Sequence, residues 1–274
     1  MWAFPQSALL LALVLPLSAA YPDGAEIVRK TAERDRSNWP KARELSYLEK
    51  VETVYLGSDD KPQKTESVVH EVIWLEGSPY RRVRERNGKP LSAEEEKFEA
   101  DKLKAVTGER KAETPGMRAR RIAEADKALD KNRAAMREVP EAFNFKVIGE
   151  ETVRGRPTWV LEFTPKDNYS PKDRRAKIFP HLKGKLWVDK SDYGWVRADA
   201  ELFETFAFGW ILVRVGKGAH AIVEQVRTPD GIYAQSSIKV HADARIGLFK
   251  QYRVRQQTVA SNHRVDRVEQ ADVR

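Results

Sequence analysis

The sequence predicts an α+β domain in which an antiparallel sheet of roughly ten strands is interrupted by a charged helical hairpin. Apolar residues alternate with a period of two along most of the chain, and turn residues such as Asn87-Gly88 separate these runs at hairpin spacing. One long segment, 92–139, follows a helical pattern instead. Strands joined by short turns pair antiparallel, and a few segregated helices beside them are typical of the α+β class.

The N-terminal residues 1–20 are predicted to be a secretory signal peptide. Ser7–Leu17 is an apolar run shorter than the roughly 20 residues that a membrane span needs. Ser18–Ala20 supplies the small residues of a cleavage site. We therefore expect an exported protein with a single domain over 21–274 that contains the insertion 92–139. An uncleaved N-terminal anchor is the alternative.

Composition excludes several classes of function. The chain has no cysteine, so thiolate catalysis, disulfide scaffolds and cysteine-ligated zinc are excluded. Its formal charge is +8. For an exported protein, this favours contact with anionic lipid head groups or cell-wall polymers over nucleic acid. The simpler alternative is that the excess of lysine and arginine keeps the protein in solution.

The first elements are predicted to be a helix followed by strands. Asp23 can cap a helix over 23–38, with Glu26 completing a capping box. Trp39-Pro40 should end it, because a residue that precedes proline is displaced from the α region. The strands that follow are predicted at Leu45–Tyr55, Val68–Leu75 and Tyr80–Arg86.

The insertion is predicted to be a solvated helical hairpin. Ser92 and Glu95 form a capping box at its start, and Gly108 interrupts the first helix. The second helix should begin near Thr114-Pro115 and run over 117–138. Both helices carry mixed charges, so they favour a hairpin laid on the domain over a coiled coil or a nucleic-acid-binding arm.

The remaining strands are predicted after Phe143. They are 145–148, 158–164, two strands around Gly184–Glu201, 219–227, 232–241 and 244–259. A basic loop over 170–185 connects the second of these to the third. The glycines at 209, 216 and 218 are interpreted as bends in a curved sheet.

No motif for catalysis, cofactor or metal binding is present. The five histidines form no H-x-x-x-H pair, and the sequence lacks a G-x-S-x-G elbow, a phosphate loop and a dinucleotide fingerprint. Asp189 and Asp192 could act as acid and base, but aspartates at this spacing also form turns. We therefore expect no cofactor and no enzymatic activity, with a hydrolase using dispersed carboxylates as the less favoured alternative.

Aromatic residues on the strands indicate an apolar binding surface. Eight of them are Trp74, Trp159, Trp187, Trp195, Phe203, Phe206, Phe208 and Trp210. An ordinary core is one interpretation. The other is a curved sheet whose concave face holds a lipid or acyl chain between alternating side chains.

Two motifs resemble the LolA/LolB-type outer-membrane lipoprotein-sorting proteins. They are GKLWVDKSDYGWVR at 184–197 and ETVRGRPTWVLEFTP at 151–165. The resemblance implies an incomplete antiparallel β-barrel that curves around helices and encloses a hydrophobic cavity. It also implies a periplasmic carrier of lipid or acyl-modified ligands without catalysis, or a related envelope sensor that binds proteins, here through the helical insertion.

Two sets of site residues follow from this interpretation. The residues expected to line the cavity are Trp74, Trp159, Leu161, Phe163, Leu186, Val188 and Phe203. Those expected to face an anionic membrane are Arg174, Arg175 and Lys177. The expected partners are thus acyl chains, with an anionic membrane surface and a protein partner as further candidates and no nucleic acid.

Overall fold

The computed structural model describes residues 21–208, 213–246 and 250–265. The predicted signal peptide lies outside these residues. The α+β class is confirmed: within the described residues, thirteen strands form one curved antiparallel sheet that does not close into a barrel. The strand order is β4-β3-β2-β1-β13-β12-β11-β8-β7-β6-β5, and β9 and β10 form a side branch on β12.

Four α-helices and two 3₁₀ helices accompany the sheet in the described part of the chain. The helices are α1 Gly24–Ala42, α2 Ala93–Ala112, α3 Pro115–Arg133 and α4 Val139–Ala142, with 3₁₀ helices at Ala135–Glu138 and Arg174–His181. The strands are β1 Leu45–Leu56, β2 Pro62–Leu75, β3 Ser78–Arg86, β4 Lys89–Pro90, β5 Phe143–Val153, β6 Arg156–Pro165, β7 Leu182–Asp189, β8 Trp195–Leu202, β9 Phe206–Phe208, β10 Val213–Val215, β11 His220–Arg227, β12 Tyr233–Ile246 and β13 Lys250–Val265. None of these helices is long and apolar enough to cross a bilayer.

Helix α1 begins where the sequence predicts but ends later. The Asp23 side chain accepts a hydrogen bond from the Ala25 amide, whereas Glu26 pairs with Arg29 and does not complete the capping box. The predicted end at Trp39 was wrong, since Pro40 lies inside the last turn. The Asn38 side chain donates to the Tyr233 carbonyl and accepts from the Tyr233 amide. These two bonds hold the turn on the sheet and outweigh the local effect of proline.

The helical insertion is confirmed as a hairpin, with different boundaries. The Ser92–Glu95 capping box is present. Helix α2 continues through Gly108, because a single glycine weakens a helix by only about 1 kcal/mol. Helix α3 ends at Arg133, five residues before the predicted end, and a 3₁₀ turn and α4 follow.

Polar contacts attach the hairpin to the β2–β3 turn. Arg121 donates to Ser78 Oγ and Glu76 O at 2.6 and 2.9 Å and pairs with Glu113. Arg110 donates to the carbonyl of Leu75 at 2.8 Å. Since α2 has no buried residue, the hairpin is held mainly by these hydrogen bonds and ion pairs.

Three further predictions require correction. Ala244 belongs to β12 and not to the last strand, which covers Lys250–Val265. The loop 170–185 contains the 3₁₀ helix Arg174–His181, because Ala176 and Phe179 are buried against β5 and β6. Strands β9 and β10 were missed, since three residues are too few to show a period.

Candidate ligand-binding face

One register row of side chains crosses nearly the whole sheet on a single face. Residues that pair directly on neighbouring strands point to the same side, so the pairing fixes the members of this row. In spatial order they are Val147, Leu161, Leu186, Ala198, Val223, Ile238, Thr258, Val51 and Val68. We call this the central row and the face that carries it the inner face.

Helix α1 covers one end of the central row. Ile27 and Val28, which lie next to each other near the start of α1, pack against Val147 and Leu161. Leu161 is fully buried. The helix approaches β5 so closely that a Cβ on Gly24 would lie 2.5 Å from the carbonyl oxygen of Phe145, so only glycine fits there. This half of the inner face is a conventional core.

The 3₁₀ helix Arg174–His181 extends the cover along the same half. Phe179 packs on Phe143 and Phe163, with the Phe143 and Phe163 rings 5.0 Å apart in an edge-to-face arrangement. Ala176 is fully buried beneath it. We call the part of the inner face on β5–β8 the covered half.

On the other strands, the side chains of the central row are less buried. On β11, β12, β13, β1 and β2 the central row consists of Val223, Ile238, Thr258, Val51 and Val68, and each of these side chains is only half-buried. The next row over continues with Ala221 and Val240, also half-buried. Helix α1 contacts β12 only near the first residue of that strand, where Asn38 forms hydrogen bonds with Tyr233. Ile238 lies five residues further along β12. We call the surface of these seven residues the open half. On the same face of β2 and β13, Val72 and Ala260 are buried, so the open half is limited to the middle of these strands.

A polar set borders the open half. Glu49 and His70 pair across β1 and β2, two positions from Val51 and Val68, and therefore share their face. Arg81 of β3 donates to Glu49 and lies 3.3 Å from His70 Nδ1. Burial and the charge of Arg81 lower the pKa of His70, which favours the neutral imidazole.

The predicted cavity-lining residues lie in two environments. Leu161, Val188 and Phe163 are buried in the covered half, and Trp159 and Leu186 are half-buried beside them. Trp74 is half-buried under Arg43, near the end of α1, and Phe203 follows the end of β8. Whether any of them contacts a ligand stays a prediction.

None of the residues predicted to line the cavity belongs to the open half. The prediction favoured strands rich in aromatic residues and does not include Val51, Val223, Ile238 or Val240. The signal was present as the period-two alternation within 219–227 and 232–241, which places Val223 and Ile238 on one face.

Asp189 and Asp192 form turns, as one of the two interpretations expected. Asp189 Oδ1 accepts from the Ser191 amide at 2.8 Å, and Asp192 Oδ1 accepts from the Gly194 amide at 3.1 Å. Asp189 also pairs with Arg156 and is fully buried. Both carboxylates are thus engaged in holding the β7–β8 turn.

A residue from another strand also binds a carboxylate of this turn. The Tyr233 hydroxyl donates to Asp192 at 2.7 Å, which joins β12 to the β7–β8 turn. Burial raises the pKa of Asp189, but hydrogen bonds from Arg156 and Ser191 outweigh it and keep the pKa below its usual value. An ionised carboxylate held in this way stabilises the fold.

The part of the chain that the structure describes offers little for metal binding or for a second ligand site. No group of three or more histidines and carboxylates could hold a metal ion there. A hollow of about 280 Å³ lies on the opposite, outer face, between Leu48, Glu71, Arg84 and Arg264. Glu71 already pairs with Arg82 at 2.6 Å and with Arg264 at 3.4 Å, so the hollow is lined by groups that satisfy one another.

No protein-family model matches the sequence, and no curated protein matches it. Among solved structures, it is similar to one described as an outer membrane lipoprotein-sorting protein domain from Vibrio parahaemolyticus, with 13% identity and a TM-score of 0.35 over 88% of this chain and 91% of the other.

Two further structures are similar over most of both chains. A LolA superfamily protein from Nitrosomonas europaea has 11% identity and a TM-score of 0.31, over 89% of this chain and 94% of the other. A DUF1329 family protein from Desulfovibrio piger has 14% identity and a TM-score of 0.34, over 90% and 95%. The first two structures are described by the name of the family that the two sequence motifs resemble.

Proposed function

We propose that this protein is a periplasmic binding protein or carrier that holds an acyl chain, from a lipid or an acylated protein, against the open half of its inner face. The observation that supports the proposal is the half-buried row Val223, Ile238, Thr258, Val51 and Val68, in which four of the five side chains are aliphatic. An apolar surface that a curved sheet presents on its inner side suits a flexible aliphatic ligand better than a polar one.

The binding of an acyl chain would need no catalytic group. Each methylene that leaves water contributes about 0.8 kcal/mol, so an acyl chain laid along this row would bind through burial alone. The polar set of Glu49, His70 and Arg81 lies at one end of the open half and suits the polar end of such a ligand. Release would then require a membrane or a partner that competes for the chain.

The test uses two neighbouring positions on β11. Val223 lies on the inner face and Ile222 on the outer face, and both are half-buried. Delipidated protein is titrated with a long-chain fluorescent fatty acid. We expect Val223→Gln to weaken binding about fivefold, because the ligand would bury only the exposed half of this side chain, which contributes roughly 1 kcal/mol.

Ile222→Gln is the matched control and should leave the affinity unchanged. Circular dichroism and thermal unfolding of both variants verify that each is folded. The proposal is wrong if the wild-type protein shows no saturable binding, or if the two variants weaken it equally.

A protein-binding role through α2 is the second candidate. Phe98 of α2 is 66% exposed, and α2 has no buried residue, so this helix presents a large aromatic side chain to solvent. Under this role, Phe98→Ser should abolish co-purification of a periplasmic partner and leave fatty-acid binding intact. Equal recovery of the same proteins with wild type and Phe98→Ser would argue against it.

A further inference from the structure

One polar side chain interrupts the apolar row of the open half. Thr258 of β13 pairs directly with Val51 of β1 and with Ile238 of β12 in the central row. Beyond these neighbours lie Val68 on one side and Val223 on the other, so two aliphatic side chains flank Thr258 in each direction. A ligand chain that follows the row therefore meets a hydroxyl group near its own middle.

The Thr258 hydroxyl has no hydrogen-bond partner among the residues that the structure describes. Its direct neighbours across the strands, Val51 and Ile238, have no polar side-chain atom to offer. The side chain is half-buried on the inner face, where its hydroxyl can bond to water. An acyl chain laid over Thr258 would exclude that water.

A second polar group lies beside Thr258. Gln256 is two positions earlier on β13, so it shares the face and lies about 7 Å away along the strand. Gln256 Nε2 donates to Thr53 Oγ1 at 3.2 Å. This bond orients the amide and leaves its oxygen, Oε1, as an acceptor that no described residue satisfies.

The two groups together match a hydroxyl group on the ligand. A threonine hydroxyl both donates and accepts hydrogen bonds, whereas a glutamine amide oxygen only accepts. A ligand hydroxyl between them would accept from Thr258 Oγ1 and donate to Gln256 Oε1. An ester or ketone oxygen could accept from Thr258 but would give Gln256 no donor.

The nearest carboxylate in the adjoining row is engaged with other groups. Glu66 pairs with Thr53 across β1 and β2. Its carboxylate binds Lys64 at 2.6 Å and accepts from the Tyr55 hydroxyl at 3.2 Å. The groups that face the middle of the row are thus uncharged, which suits a neutral hydroxyl.

We propose that the open half selects acyl chains that carry a hydroxyl group near the middle of the chain, and that Thr258 determines this specificity. The inference rests on the proposed function, because it requires an acyl chain along the central row. A plain chain would remove water from the Thr258 hydroxyl without replacing the lost hydrogen bond, whereas a hydroxylated chain replaces it.

The test displaces the fluorescent fatty acid from delipidated protein with stearic acid or with stearic acid hydroxylated at its tenth carbon. We expect the wild-type protein to bind the hydroxylated acid about tenfold more tightly, because an unsatisfied polar group in a contact is costly. Stearic acid hydroxylated at its third carbon should show no such advantage, since its hydroxyl would lie towards one end of the row.

The decisive variant is Thr258→Val, which keeps the branched shape and removes only the hydroxyl. We expect this variant to bind plain stearic acid about tenfold more tightly than the wild-type protein does and to lose the preference for the mid-chain hydroxyl. Thr65→Val is the matched control, because Thr65 pairs with Val54 on the outer face of β2. This control should retain the wild-type preference, and circular dichroism verifies that both variants are folded.

Three results would overturn the inference alone: equal wild-type affinity for the plain and mid-chain hydroxylated acids, an equal advantage of the third-carbon hydroxyl, or a preference that survives in Thr258→Val. If the wild-type protein bound neither acid, the proposed function would fail as well. The two failures are therefore distinguishable.

A separate variant tests the second polar group. Gln256→Leu should reduce the preference for the mid-chain hydroxyl about threefold and leave the affinity for plain stearic acid similar, because it removes one acceptor for the ligand hydroxyl. An unchanged preference would contradict the role assigned to Gln256 Oε1.

Discussion

The covered and open halves of the inner face share one register row but differ in what lies over them. Leu161, in the covered half, is fully buried beneath α1, whereas Ile238, four strands away, is half-buried. Both are branched aliphatic residues at equivalent register positions. The same alternating pattern therefore lies in two environments. One half of the inner face is the core that stabilises the fold, and the other half is the surface on which we propose that an acyl chain binds.

The largest expected effect is a difference in stability between the two halves. Leu161→Ala should lower the free energy of unfolding by about 3 kcal/mol, because it removes a fully buried side chain and leaves a cavity. Ile238→Ala should lower it by only about 1 kcal/mol, since its side chain is partly in water already. Urea unfolding followed by circular dichroism measures both. Equal losses would mean that the open half is also core.

The next effect concerns the β7–β8 turn, which borders the covered half. Asp189→Asn should lower the free energy of unfolding by about 3 kcal/mol, because it leaves Arg156 without its buried carboxylate. Asp192→Asn should lower it less, since the Asp192 side chain is 24% exposed and lies 3.4 Å from Arg227. Comparable effects of the two changes would contradict this account of the turn.

The pH dependence follows from the lowered pKa of Asp189. A carboxylate whose pKa is lower in the folded state contributes stability above its unfolded pKa of about 4 and loses it as the pH falls through the folded value. The wild-type protein should therefore lose stability below about pH 4 more steeply than Asp189→Asn. Thermal unfolding across the acidic range measures the difference, and parallel curves would exclude Asp189 as a contributor.

The smallest expected effect is in the helical hairpin, which belongs to neither half. Arg121→Gln should weaken its attachment to the β2–β3 turn by about 1 kcal/mol, because it removes the bonds to Ser78 and Glu76. Arg120→Gln is the control, since Arg120 is an 82% exposed neighbour on the same helix.

Hydrogen exchange of α2 and α3 is the suitable measurement. We expect faster exchange in these helices for Arg121→Gln and unchanged exchange in β6 and β7. If exchange in the sheet accelerated equally, the hairpin would unfold together with the domain and not as a separate unit.

Most of the strands could be predicted because alternation and turn residues are local signals. Asn87-Gly88 adopts the left-handed conformations that its turn requires, as expected from the sequence. The end of α1 could not be predicted in this way. It depends on Asn38 bonding Tyr233, 195 positions along the chain, and no local pattern contains that contact.

The same limit explains why the site was only partly predicted. The sequence indicated an apolar inner face but favoured the strands richest in aromatic residues, including Trp159 and Phe163. Which strands α1 covers is decided by long-range packing, such as Ile27 and Val28 against Leu161. The sequence therefore gives the apolar face but not the boundary between its covered and open halves.

The most direct test of the central claim is photo-crosslinking with a fatty acid that carries a diazirine at the end of its chain, followed by peptide mapping. We predict saturable labelling of inner-face residues in the open half, above all Val223, Ile238 and Val51, which an unlabelled fatty acid prevents. Labelling confined to the outer-face neighbours Ile222 and Lys239, or no saturable labelling, would contradict the claim that the open half binds an acyl chain.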